Sequence, residues 1–447
     1  MTAAFEPIPP QERLRTLDVL RGAALLGILL MNILVFGLPA DAYHNPNVWG
    51  GNDAINLWTL GIHWVLFEGK MRALFSIMFG AGIVIFMERA LARENSVTAA
   101  DLYVRRMLWL MAFGAAHGWL IWHGDILYSY ALCGLLIFPL RNASPKALFV
   151  TAGLALLLMQ AFFTVPAFER RSTRNAAVAA RAAQAQGRTL TQEQRDAIRD
   201  WDRIYNASLP PRDEVQKEID DYRGGYVRTF QQRVKVLRAW NFLPAYFPAF
   251  IDMWAMMLIG MGLFRLGVLQ GARPMGFYTR VALVGYGIGV PLNALSVYGM
   301  ISSNFEPVAY GFLNVPHHAG RVAVALAHAA VIVMVVKRRA LGWLTDRLAA
   351  VGQTALSNYI ATSVICALLF YTPGLGLMGQ LQRYQLYAVV VGIWILNLAW
   401  SPWWLRRYRF GPLEWCWRSL TYWRRQPWRV RSPAGPAPLP DGVLRYP

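Results

Sequence analysis

Apolar residues in this chain gather into runs separated by short polar connections. The runs fall at about 17–38, 70–88, 106–123, 126–141, 147–166, 245–268, 281–300, 318–336, 350–371 and 385–404. Each is near the ~20 residues that an α-helix needs to cross a hydrocarbon core, some a little short. The pattern predicts an all-α polytopic transmembrane bundle of about ten spans. Residues 55–67 (INLWTLGIHWVLF) are too short to span alone. They predict an interfacial segment or the first half of a broken helix.

The connections carry an independent signal. With the N-terminus inside, the inner connections hold Arg89, Arg93, Arg105 and Arg106, then Arg141 and Lys146, then Arg265, Arg273 and Arg280, then Lys337, Arg338, Arg339 and Arg347. The tail after 404 opens with Arg406, Arg407 and Arg409. The outer connections 39–54, 124–125, 301–315 and 372–382 hold no Lys or Arg. This is the positive-inside alternation, and one missed span would invert every later loop. Both ends are therefore expected in the cytoplasm. A cleaved leader would suit Arg13, Arg15 and the small residues near Leu38-Pro39-Ala40, but the first run is long for one and carries Asp18, Arg21 and Asn32, so it reads as a span.

One segment breaks the rhythm. Residues 167–240 are polar, with charges of both signs, and fall outside by topology. Long segments translocate largely regardless of charge. Ala, Gln, Arg and Glu favour helix, with a break at Leu209-Pro210-Pro211. Two or more helices capping the outer face are expected, against the plainer alternative of an unstructured linker. The chain thus divides into a transmembrane half at 1–166, the insert at 167–240, a second transmembrane half at 241–425, and a Pro-rich tail at 426–447 expected to be disordered.

Composition agrees. The chain is 56% hydrophobic and 15% charged, where a soluble domain carries about 25% charged residues. Mean hydropathy is +0.31. Eighteen Trp, 19 Tyr and 22 Phe suit interfacial aromatic belts. The net charge of +19 taken alone would suit a nucleic-acid binder, but the basic residues lie in the connections, the insert and the tail, with no soluble basic domain to carry that role. Cys133, Cys366 and Cys416 have no metal-type spacing and read as small buried hydrophobes. His317-His318 and His328 give no two-ligand helix face either, so no metal site is expected.

Ionisable groups in apolar spans are costly and so are functional candidates. Asp18 and Arg21, three apart, can pair at the inner end of the first span, with Asn32 deeper in it. Asn32 either glues helices or positions a ligand. Glu68, Lys70 and Arg72 gather at an outer mouth, where snorkelling cations are the plainer reading. His117 lies past the middle of its span and has a general base's chemistry; a hydrogen-bonded structural histidine is the alternative. His123 and Asp125 occupy a short outer turn. Asp125 can cap the next helix or orient a histidine.

LDVLRGAALLGILLMNILVFGLP, FEGKMRALFSIMFGAG, GAAHGWLIWHGDILYSYALCGLL, ALSNYIATS and FGPLEWCWRSLTY, in this order, resemble the bacterial YeiB family of membrane proteins. That resemblance covers most of the chain apart from the insert. It implies membership of a superfamily of transmembrane acyltransferases that includes heparan-α-glucosaminide N-acetyltransferase. The implied reaction takes an acyl group from acyl-CoA at the cytoplasmic face and passes it to a sugar, amine or other small acceptor at the other face of a bacterial inner membrane. Asn32 looks like the counterpart of a functional Asn late in the first span of the lysosomal enzyme, and His44 like its following His. Under this reading His117 or His44 is the base, Asn32 serves the oxyanion, and Asp125 fixes the histidine tautomer. Arg15, Arg21, Arg105, Arg106 and Arg280 hold CoA phosphates. Glu68, Lys70, Arg72, Ser76, His123 and Asn358 shape the acceptor pocket, while Asp18, Glu414 and Trp417 are structural. The alternative is a transporter or flippase for a small or lipid-linked molecule. A homodimer is left open.

Overall fold

A computed structural model describes residues 15–242 and 246–430. The Pro-rich run from residue 431 lies outside the described residues. All the regular structure among them is helical: α1 (Arg15–Gly37), α2 (Ala54–Leu66), α3 (Lys70–Leu91), α4 (Ser96–Leu120), α5 (Leu127–Ile137), α6 (Pro145–Ala185), α7 (Gln192–Ser208), α8 (Arg212–Arg223), α9 (Tyr226–Phe242), α10 (Tyr246–Arg265), α11 (Met275–Ser302), α12 (Pro307–Lys337), α13 (Gly342–Gln353), α14 (Ala355–Phe370), α15 (Arg383–Leu405) and α16 (Pro412–Tyr422).

Every one of the ten expected runs falls on a helix, but they are not equal as membrane crossings. Among the described residues six helices (α1, α6, α10, α11, α12 and α15) are long and apolar enough on their own, the joined α2–α3 stretch makes a seventh crossing, and an eighth arises if α13 and α14, bent by 86°, are taken as one. The difference lies in α4, which carries Asp101, Arg105 and Arg106, and in α5, which has 11 residues. Residues 55–67 become α2. It leads into α3 within one apolar stretch, Ala54–Leu91, interrupted around Gly69.

Leucine, isoleucine and valine side chains that face outward, such as Leu154 and Leu157 on α6 and Leu283 and Ile288 on α11, form the surface that lipid would cover. Inside, α3 and α10 cross at two glycines. A Cβ on Gly80 would lie 2.0 Å from the Met257 carbonyl, and one on Gly260 2.0 Å from that of Ile77. Backbones approach this closely only where side chains are missing. The Met-rich face of α10 (Met253, Met256, Met257, Met261) fills the space beside that crossing.

The insert is helical. α6 continues past its apolar part to a full length of 41 residues, about 60 Å at ~1.5 Å per residue, twice a ~30 Å hydrocarbon core. Thr191 and Gln194 cap the start of α7 reciprocally. α8 then turns Val215, Ile219 and Tyr222 onto an apolar cluster with Phe36, Phe370, Tyr371 and Met378, seating the insert on one end of the bundle. Glu218 in α8 accepts a hydrogen bond from the Ala40 amide at 3.1 Å. Burial, helped by nearby Asp41 and Asp221 and opposed by that amide and Lys235, pushes its carboxyl up to about 7. The folded state therefore holds this proton more tightly than the unfolded chain does. The stability this group contributes is fully present below pH 4.5, the usual value, falls as pH rises toward 7, and is lost above. Thermal unfolding followed from pH 4.5 to 8 is expected to show this decline, and Glu218→Gln to flatten it. An equally steep curve in the variant would assign the dependence to other groups.

Candidate functional site

The described residues enclose a chamber of about 280 Å³ between α1, α3, α4, α14 and α16. Its mouth, at the end of the bundle away from the insert, is lined by Arg21, Arg89, Arg93, Arg106 and Arg418 against two acids, Asp18 and Glu414. Both acids are already engaged. Asp18 pairs with Arg21 at 3.1 Å. Glu414 receives the Leu356 amide (2.6 Å), the Ser357 amide (3.1 Å) and the Ser357 hydroxyl (2.5 Å), and so caps α14 at the 86° bend. Burial holds its carboxyl above the usual range. The Arg106 guanidinium lies 3.7 Å over the Trp417 ring, whose indole N–H donates to the Arg106 carbonyl at 2.9 Å. Arg418 lies 4.7 Å over Phe410. The mouth is net cationic, and two of its guanidiniums, those of Arg106 and Arg418, rest on aromatic faces. The depth is apolar: Phe75, Phe79, Met107, Leu110 and Leu127, ending at Tyr130 and Tyr359.

Beyond Tyr359 lies a second cavity of about 20 Å³, lined by Asn32, Thr362, Ser363 and Asn397 among apolar residues of α1. That is room for about one water molecule. Tyr359 lines both cavities. Its ring centroid is 5.0 Å from that of His117. His117 Nδ1 lies 2.8 Å from Asp125 Oδ1, with both side chains buried. The other oxygen, Asp125 Oδ2, accepts the Tyr128 amide at 2.7 Å and so caps α5. A carboxylate accepts, so Nδ1 carries a proton toward it, and in the neutral ring Nε2 presents its lone pair. Nε2 is buried and has no hydrogen-bond partner among the described residues.

The other sequence candidates distribute unevenly. Arg21 and Arg106 reach the mouth. Arg15 does not line it and instead ties α1 to α13 through Asp346 (2.5 Å) and Thr345 (3.1 Å). Arg105 pairs with Asp101 on α4, and Arg280 donates to Gly276 on α11; neither lines the chamber. His44 sits apart from His117, with its Nδ1 3.0 Å from the Tyr310 hydroxyl. His123 meets the insert through Tyr222 at 3.4 Å, and burial together with Arg233 holds its imidazole down to about 3, hence neutral. Asn358 gives its amide N–H groups to the Val351 carbonyl and Thr354 at the α13–α14 bend and to Ser401 on α15, and its amide oxygen accepts from Trp400 on α15, which is a structural role.

Glu68, Lys70, Arg72 and Ser76 do come together, around the break before α3. Gly69 there has φ +69°, and a Cβ on it would meet the Arg321 Cδ at 2.3 Å. Glu68 is bonded by Tyr43 and lies 3.3 Å from His63 Nε2. Lys70 Nζ donates to the Trp64 carbonyl (2.6 Å) and Asn293 (2.8 Å). Arg72 and Arg321 share Asp252. Ser76 and Tyr130 share a hydrogen bond of 2.6 Å, which joins this cluster to the chamber's end. Sequence reasoning missed Arg321, although a charge within an otherwise apolar run was a signal for it. Tyr359, Arg89, Arg93 and Arg418 carried none that singled them out as site residues. No group of three or more His, Cys, Asp or Glu among the described residues could hold a metal.

Fold and site together define a polytopic α-helical membrane protein with a cation-mouthed internal chamber. The chain belongs to the YeiB family: it is 31% identical to the uncharacterized protein YeiB of Escherichia coli K12 over 92% of this chain and 96% of that one. It is also 28% identical to the uncharacterized protein YxaH of Bacillus subtilis 168, over 95% and 98%. It is 26% identical to an uncharacterized 39.9 kDa protein in the amylase 3′ region of Bacillus acidopullulyticus, over 96% and 100%. The family model described as a protein of unknown function (DUF418) matches residues 263–424, from the last turn of α10 to just beyond α16.

Proposed function

We propose that this protein is a membrane-embedded acyltransferase of the bacterial inner membrane, moving a short acyl group from acyl-CoA in the cytoplasm to a hydroxyl or amine of a small acceptor from the other face. The observation that carries the reading is the buried His117–Asp125 pair, which lines neither cavity but packs against Tyr359, a residue of the wall of a chamber whose mouth is cationic. CoA is a polyanion with a long neutral arm. Arg21, Arg106 and Arg418, with Arg89 and Arg93, suit its phosphates by charge-assisted hydrogen bonds, and the chamber suits the arm.

In the reaction the acceptor's O–H or N–H gives its proton to His117 Nε2 as its heteroatom attacks the thioester carbonyl. A C–O or C–N bond forms, the C–S bond breaks, and the imidazolium proton leaves with the thiolate as CoA thiol. Asp125 holds the tautomer and stabilises the imidazolium. Asn32, in the small cavity, donates to the developing oxyanion when the carbonyl reaches that side.

The transporter reading is favoured by one observation, the bend between α13 and α14, since discontinuous helices recur at transport sites. Purified protein with acetyl-CoA and a panel of sugar and amine acceptors separates the two. Acceptor-dependent release of CoA thiol is expected. Its absence across the panel, with solute accumulation in proteoliposomes, would establish transport instead.

A further inference from the structure

Two cavities lie side by side, and Tyr359 is the one residue that lines both. The larger cavity opens at the arginine end and closes on Tyr359; the smaller, with Asn32, Ser363 and Asn397, begins on Tyr359's other side. The tyrosine is fixed at both ends. Its hydroxyl receives the Ile126 amide at 3.2 Å and donates to the Gly124 carbonyl at 3.4 Å, the two residues that flank Asp125. Its backbone carbonyl accepts the Ser363 hydroxyl at 3.2 Å, in the lining of the small cavity. The ring meanwhile packs against His117. One residue therefore bounds both compartments, braces the turn that carries the acid, and touches the base.

We propose that Tyr359 is the partition of the transfer path: a positioning residue whose ring stands between the donor chamber and the Asn32 cavity and keeps water on the chamber side from reaching His117 in place of the acceptor. The inference rests on the acyl-transfer reading. Without the ring the compartments join, and water can take the acceptor's place at His117. The step then becomes hydrolysis. The water oxygen bonds to the acyl carbon, the C–S bond breaks, a water proton passes through His117 to the thiolate, and the products are a free carboxylic acid and CoA.

Two variants and two readouts test this in the full-length protein. With acetyl-CoA and an accepted acceptor, wild type is expected to release CoA and acylate acceptor in equal amounts. Tyr359→Ala is expected to release CoA without acceptor, so that thiol exceeds product. Tyr359→Phe keeps the ring and loses the hydroxyl. It should stay coupled, with a shifted pH profile because the Asp125 turn is less firmly held. A purely structural tyrosine would instead lower release and acylation in proportion in both variants, and that result overturns the inference.

The second readout needs no turnover. In a chain with Cys133, Cys366 and Cys416 changed to Ala, Ser363→Cys reports the small cavity. A water-soluble maleimide added from the arginine side should label it in the Tyr359→Ala background. With tyrosine or phenylalanine at 359, labelling should be absent. Equal labelling in all three overturns the partition. If wild type releases no CoA with any acceptor while labelling still follows residue 359, the transfer reading fails and the wall between the cavities stands.

Discussion

Replacing His117 with glutamine is expected to lower acyl transfer by a factor of about 10²–10⁴, the usual contribution of a positioned general base. The argument is local. Nε2 is the one ring nitrogen without a partner, and Asp125 already holds the other at 2.8 Å. Glutamine can still donate an amide proton to Asp125, and Asp125 keeps the Tyr128 amide at 2.7 Å, so the buried acid is not stranded. Folding and acyl-CoA binding should survive while kcat collapses. Steady-state CoA release alongside isothermal titration with a non-hydrolysable CoA thioether checks both halves. Near-normal turnover would remove His117 from the chemistry. A parallel loss of binding would make it structural.

The second large effect concerns stability. Asp252 lies between Arg321 and Arg72, within 3.1 Å of Arg321 Nη1 and 3.3 Å of Arg72 Nη2. Arg321 is 1% exposed. Asp252→Ala leaves a buried guanidinium uncompensated, and breaking such a pair typically costs about 3–5 kcal/mol. Asp252→Leu combined with Arg321→Met removes both members of the innermost pair and leaves only the partly exposed Arg72 without its acid. The double variant is expected to recover much of the loss. Thermal unfolding of detergent-solubilised protein, read by a fluorescent fusion on size exclusion, measures it. A single variant as stable as wild type would show that the acid is not what compensates Arg321.

Much of the architecture was legible because apolar run length reports membrane thickness directly, and all ten runs became helices. The count of crossings was less so. Arg105 and Arg106 in α4 and the 11 residues of α5 make these two helices poor crossings by themselves, and their place depends on neighbours. The His117–Asp125 pair was readable from a short motif, since eight residues around a tight turn bring the two side chains together. The chamber was not. Its arginines come from α1, from the end of α3 and the turn after it, and from the middle of α4 and α16, and only tertiary packing makes them converge.

ALSNYIATS shows the limit sharply. Sequence reasoning chose Asn358 because an amide in an apolar helix is costly, yet neighbouring helical residues point about 100° apart. Asn358 turns toward the α13–α14 bend and α15 and fills its hydrogen bonds there. Tyr359 turns toward the cavities and His117. Polarity marked the right turn of helix and the wrong face. The corrections at Arg15, Arg105 and Arg280 have a similar origin. The positive-inside pattern assigns a side of the membrane to a cation but says nothing of which helices meet there.

The carboxylate of Glu414 has a consequence for anything negatively charged that enters the bundle. The exposed start of a helix in a membrane interior is an attractive seat for a phosphate, and α14 offers one directly on the chamber wall. The protein fills that seat with its own side chain. An anion arriving at the mouth finds that seat taken and has the neighbouring guanidiniums, not the helix amides, to bind to.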